Sequence, residues 1–160
     1  MSSFDDAFTN LIGNEGGYSD DPNDPGGKTR WGVTERVARA HGYTGDMKDY
    51  PLEDAKVVAK KLYWDPYGCD AFHPDIGFQI LDAAYNGGHV VLWMQQAAGV
   101  KADGAIGPHT LAAVRTADPK AWTMKFLAAR LTYLTLTKPW PHEGAGWAHR
   151  IANNLRKGAA

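Results

Sequence analysis

Apolar residues recur at helical spacing over most of the chain. Phe4, Phe8, Leu11 and Ile12 share one face and predict a helix from about Ser3 to Glu15, with Asp5 and Asp6 at the positive end of its dipole. Pro51 opens a second long helix to about Trp64, with Leu52, Ala55, Ala59 and Leu62 turned inward. Pro74 starts another, whose apolar side is Ile76, Ile80, Ala83 and Ala84, and Gly87-Gly88 interrupts it. Val90 to Ala98 and Pro108 to about Arg115 predict two shorter helices. Asp118-Pro119 begins the longest, with Trp122, Phe126, Leu127, Ala129 and Leu134 inward, and Pro139 and Pro141 end it. Trp147, Ile151 and Leu155 mark a last amphipathic helix, and Trp64, Trp93, Trp122 and Trp147 are expected in the core. Only residues 16–34 break the pattern. Gly, Pro, Asn and Asp crowd positions 16–27, Lys28 to Thr34 suit a strand or hairpin arm, and Thr34 caps a short helix to about His41. The expectation is a mainly α (α+β) protein with one small β excursion.

At 160 residues and 44% hydrophobic composition, the chain fits one domain with a sizeable core. No stretch approaches a membrane-spanning length, and the acidic start Met1-Ser2-Ser3-Phe4-Asp5-Asp6 does not read as a secretion signal. The single cysteine, Cys69, excludes an internal disulfide and suits a reducing compartment. A net charge of −1 hides an asymmetry: residues 1–100 hold 8 Lys/Arg against 15 Asp/Glu, and residues 101–160 hold 9 against 3. The basic back favours an anionic partner such as a cell envelope. Lys120, Lys125, Arg130, Lys138, Arg150, Arg156 and Lys157 are expected to form an outer patch on the last two helices, and a merely solubilising face explains them as well.

The chemistry concentrates at the end of the first helix. Glu15 sits beside the Leu11/Ile12 stripe and just before two glycines. A carboxylate there opposes the helix dipole, and partial burial raises its pKa. The turn that follows carries Asp20, Asp21 and Asp24. One carboxyl on a rigid element and another on a turn suit general acid–base work on a glycosidic bond. Tyr18 and Trp31 flank the turn, and Tyr85 and Asn86 end a helix that could form the facing wall; all four are candidate sugar contacts or packing residues.

Glu15-Gly16-Gly17-Tyr18, Asp24-Pro25-Gly26-Gly27-Lys28-Thr29 and Gly32-Val33-Thr34 resemble the N-terminal signature of glycoside hydrolase family 108, the endolysin muramidases. Asp82 to Gly88, Gln96 to Thr110, and Gly146-Trp147 with Arg150 look like the peptidoglycan-domain half that follows in that family. The resemblance implies one lysozyme-like domain over residues 1–160, with a catalytic segment at 1–88 and a helical peptidoglycan-domain-like segment at 89–160. It implies a cleft between a hairpin lobe and a helical lobe. It further implies hydrolysis of the β-1,4 bond between N-acetylmuramic acid and N-acetylglucosamine. Glu15 would then be the general acid, Asp24 would orient or deprotonate water, and Thr29 would help to place it. Four residues separate Asp24 from Thr29, one fewer than in phage-type lysozymes, so Asp20 and Asp21 stay open as the second carboxylate. The expected partner is bacterial peptidoglycan, with no cofactor, no metal, no nucleic acid and a monomer by default. The family role implies synthesis in the host cytoplasm and pore-mediated release to the wall. A carboxyl separation of ~6.5–9.5 Å, the inverting geometry, is expected from the placement of Asp24 on a turn.

Two other readings compete: a lytic transglycosylase, and a non-catalytic peptidoglycan-binding or secretion-helper module. The six histidines are scattered, without His-Glu-x-x-His or a Cys/His cluster, which argues against a zinc peptidase or amidase. Cys69 with Asp70 and His73 is the remaining nucleophile candidate, and a packing role suits a lone cysteine better.

Overall fold

The computed structural model describes residues 3–13, 17–23 and 26–160. Helix α1 (Ser3–Ile12) buries Phe4, Ala7, Phe8 and Leu11, as their spacing predicts. The Gly13 amide still bonds to the Thr9 carbonyl at 3.2 Å, and the expected continuation to Glu15 falls on residues 14–16, outside the described residues. Three two-residue strands follow, β1 (Tyr18–Ser19), β2 (Thr29–Arg30) and β3 (Val33–Thr34), antiparallel in that order. Ser19 pairs with Thr29, and Thr29 with Thr34. Between β2 and β3 only Trp31 and Gly32 make the turn, at φ 53° and 75°. Two consecutive positive φ values belong to the type I′ turn, whose twist matches that of a hairpin. Glycine takes such a conformation freely, and a tryptophan does not.

Thr34 caps α2 (Glu35–Ala40), its hydroxyl accepting from the Val37 amide. Helix α3 (Leu52–Ala59) widens into a π-helical turn at Lys60–Trp64. The wider turn delivers Trp64 into the core, where a Cβ on Gly77 would lie 2.8 Å from its ring and Phe4 meets it edge-on at 5.4 Å. Ala55 and Ala59 face inward as expected, but Leu52 is 39% exposed, because the first turn of α3 lies outside the packed bundle.

Helix α4 (Pro74–Asn86) is the axis of the fold. Every residue from Ile76 to Ala84 is buried, not one face alone. A helix enclosed on all sides must be apolar all round or pair its polar groups inside the fold, as Gln79 and Asp82 do, and α4 is enclosed by α1, the Lys60–Trp64 turn and α7. Helices α5 (Val90–Ala98), α6 (Pro108–Thr116), α7 (Pro119–Thr135) and α8 (Trp140–Ala159) complete the bundle. The Asp118 carboxylate caps α7 through the Ala121 amide, and Pro141 lies in the first turn of α8. No described helix is long and apolar enough to cross a membrane.

The charge asymmetry resolves differently from its linear appearance. Arg130 is buried and Arg150 is half-buried, both drawn in by Asp82, so neither belongs to an outer patch. Lys120, Lys125, Lys138, Arg156 and Lys157 are exposed. The core holds Trp64, Trp93 and Trp122 but not Trp147, which is half-exposed. Helix α8 packs chiefly on α7, and its buried residues are Gly144, Ile151 and Asn154.

Candidate active site

Glu15 and Asp24 lie outside the described residues. What the structure describes is the frame on either side of them. Thr29 stands in the central strand, half-buried, its hydroxyl donating to the Gly27 carbonyl at 3.1 Å. Asp20 and Asp21 are exposed, and Asp21 turns back on its own loop, accepting from the Asn23 amide at 2.8 Å.

The hairpin turn is fastened on two sides. The Trp31 indole N–H donates to the Tyr50 carbonyl at 3.0 Å, and the Arg30 guanidinium lies over the same ring at 4.4 Å. From the helical body, the Tyr85 hydroxyl donates to the Trp31 carbonyl at 3.0 Å. The Tyr85 ring lies so close to Gly32 that a Cβ there would come within 2.4 Å of it. Tyr63 backs Tyr85 at a centroid distance of 5.0 Å. Trp31 and Tyr85, expected as sugar contacts, therefore also join the hairpin to α4. Tyr18 is half-buried beside Lys48, and burial, with the Asp20 carboxylate, pushes its phenol above the usual value. Asn86 is exposed, its side-chain amide donating to the Asp82 carbonyl at 2.7 Å.

One turn below Asn86 lies the strongest electrostatic cluster among the described residues. The Asp82 carboxylate, fully buried, accepts from Arg130 at 2.7 Å, Arg150 at 2.9 Å and the Asn154 side-chain amide at 2.8 Å. Burial works to raise its pKa, and the two guanidiniums outweigh burial and hold it below the ordinary carboxylate value. Asp82 thus links α4, α7 and α8. The sequence carried one signal for this: an acid inside the run Ile76–Ala84 must find a countercharge. The partners, 48 and 68 residues away, left no local trace.

A second polar hub, Gln95, was not visible in the pattern. Its buried amide donates to the Asp103 carboxylate, the Ala105 carbonyl and the Thr110 hydroxyl, and its oxygen accepts from the Gly104 amide. It anchors the turn before α6, which Pro108 begins. Cys69 is buried, and burial drives its thiol pKa far up, so it stays protonated and packs. A well-formed hollow of about 370 Å³, lined by Asp6, Asn10, Asp75 and Lys157 among others, lies at the opposite end of α4 from Tyr85. Its nearest lining residue on α4, Gln79, precedes Tyr85 by six residues, ~9 Å of helix, and its lining includes none of the described hairpin residues.

Residues 8–88 match the family described as glycosyl hydrolase 108, and that stretch takes in the hairpin, Thr29 and all of α4 up to Tyr85 and Asn86. The chain belongs to glycosyl hydrolase family 108. It is accordingly a glycoside hydrolase that acts on peptidoglycan. Residues 89–150 match a second family, described as predicted peptidoglycan domain. Among solved structures, SagA of Brucella abortus is similar with a TM-score of 0.86 and 29% identity, over 98% of this chain and 94% of that one. This family-108 hydrolase shares with it the lysozyme-like, mainly α architecture with a small β lobe. No curated protein matches the chain.

Proposed function

We propose that this family-108 hydrolase is a muramidase, cutting the β-1,4 bond between N-acetylmuramic acid and N-acetylglucosamine. Glu15 protonates the leaving oxygen, Asp24 orients or deprotonates the attacking water, and Thr29 helps to place that water. The observation that carries this reading is the family match over residues 8–88, which contains all three residues in one uninterrupted segment. The rigid frame supports it: Thr29 lies in the central strand of a hairpin that Tyr85 fastens to the bundle. A loop held on such a frame can keep an acid and a water within reacting geometry. The endolysin role, with delivery to the wall from inside the host, is part of the same proposal and rests on the sequence resemblance.

Glu15→Gln tests it. The replacement is nearly isosteric and cannot donate the acid proton, and general acid catalysis contributes about 10²–10⁴-fold. Loss of wall lysis by that factor, with folding intact, is the expected result; undiminished lysis would remove Glu15 from the mechanism and favour a binding module. Product analysis separates the remaining alternative, since hydrolysis leaves a reducing muramic end and a transglycosylase leaves a 1,6-anhydro end. The α-anomer as first product would support the inverting geometry.

A further inference from the structure

Trp140 and Trp147 lie on one face of α8, seven residues apart, with ring centroids 6.2 Å apart at 42°. Gly144 falls between them, and a Cβ there would come within 2.6 Å of the Trp140 ring, so that indole lies on bare backbone. Both rings are half-buried, yet among the described residues neither joins the hydrophobic core, whereas the other tryptophans and all the tyrosines belong to it or lie against it.

Helix register locates the pair. Phe78 meets Lys157, Gln79 meets Asn154, and Asp82 meets Arg150, so α8 runs antiparallel to α4. That direction carries the N-terminal part of α8, with Trp147 and Trp140, toward the end of α4 that Asn86 closes. This is also the end at which Tyr85 holds the hairpin, and there His89 and Tyr133 meet edge-on at 4.8 Å.

The geometry points to a glycan-binding platform on α8: Trp140 and Trp147 hold sugar rings of the peptidoglycan strand beyond those at the hairpin. The apolar face of a pyranose ring packs flat on an indole. Two indoles seven residues apart on one helix face suit a linear strand. His142, Glu143 and His149 on the same helix are exposed and polar, which suits a hydroxyl-rich glycan better than a lipid surface. The inference rests on peptidoglycan as substrate and extends the muramidase reading without depending on Glu15.

The test uses the full chain as Glu15→Gln, titrated with soluble glycan strands stripped of their peptides and followed by the indole N–H signals of the six tryptophans. The signals of Trp140 and Trp147 are expected to move. The pair Trp140→Ala/Trp147→Ala is expected to weaken binding by about tenfold or more. The pair Trp140→Phe/Trp147→Phe, which keeps a ring at each position, retains most of the affinity. With Glu15 intact, the Ala pair raises KM on long strands and leaves kcat on short fragments unchanged. Unmoved indole signals, or parent-like affinity in a folded Ala pair, overturn the platform; should the Ala pair fail to fold, the titration and the Phe pair still decide. Signals that answer anionic lipid vesicles and not glycan overturn it in favour of a membrane contact. Persistent turnover by Glu15→Gln counts against the muramidase reading and leaves the comparison of affinities standing.

Discussion

The Tyr85 ring occupies the space that a side chain at residue 32 would need, 2.4 Å from the position of a Cβ on Gly32, while its hydroxyl bonds the carbonyl of the preceding residue. Turn and helix are therefore fitted to each other through a missing methyl group. Gly32 also has φ 75°, where a side chain is strained in any surroundings. Gly32→Ala is expected to cost about 1–3 kcal/mol from strain and overpacking. Wall-clearing activity should fall further than the melting shift alone explains, since the displaced part is the hairpin that carries Thr29. Tyr85→Phe removes only the hydroxyl and is expected to cost about 1 kcal/mol. Equal activity in all three proteins would show that the contact does not position the site.

Asp82 is the second expected weak point. Asp82→Asn leaves two guanidiniums without their carboxylate, and breaking a buried pair from one side costs about 3–5 kcal/mol. Denaturant unfolding would measure it.

The pH dependence follows from the direction of the Asp82 shift. Its folded pKa lies below the unfolded value, so its stabilisation is present above that unfolded value, ~3.9 for aspartate, and is lost as pH falls through the lower folded pKa. Stability should be level in this contribution near neutrality and decline in acid. Asp82→Asn should flatten that acid limb. An acid limb of the same slope in the variant would assign it to other carboxylates.

Gln95 joins four groups of the Asp103–Thr110 turn. Gln95→Ala leaves the buried Thr110 hydroxyl without that partner, while the exposed Asp103 keeps the Ala105 amide, and an unsatisfied buried polar group costs about 1–3 kcal/mol. Amide exchange at Gly104 and Ala105 should accelerate more than exchange in α7. Uniform acceleration would mean that the whole bundle, not this turn, was loosened.

The outer basic surface is smaller than the sequence suggests, and its test changes accordingly. Arg130 and Arg150 must be left alone, because either substitution would break the Asp82 cluster. Lys120, Lys125, Arg156 and Lys157, replaced together by Gln, probe the surface alone. If the surface attaches the enzyme to an anionic wall, sedimentation with purified walls should weaken at low salt, and the difference should vanish as the Debye length shrinks toward ~8 Å at physiological salt. Turnover of a short soluble glycan should not change. Parent-like sedimentation at every salt concentration would leave those residues a solubilising role.

Local patterning was enough for the elements themselves. The i, i+3, i+4 spacing of Phe4, Phe8 and Leu11 placed α1, Asp118-Pro119 placed the start of α7, and Thr34 the start of α2, because caps and amphipathic faces act within a few residues. The family signature around Glu15, Asp24 and Thr29 was also legible, since it lies in one segment, and the family match over residues 8–88 agrees with it; the roles of the three residues belong to the proposal. Tertiary structure decided what depends on neighbours distant in the chain. It enclosed α4 on every side, and it turned Arg130 and Arg150 from surface charges into partners of Asp82. It set Tyr85 against Gly32 across 53 residues, and it left Trp147 half-exposed on a helix that packs chiefly on α7. A helical stripe says which face is apolar, but how far that face is covered depends on the length and register of the helix packed against it, and neither is written in the stripe.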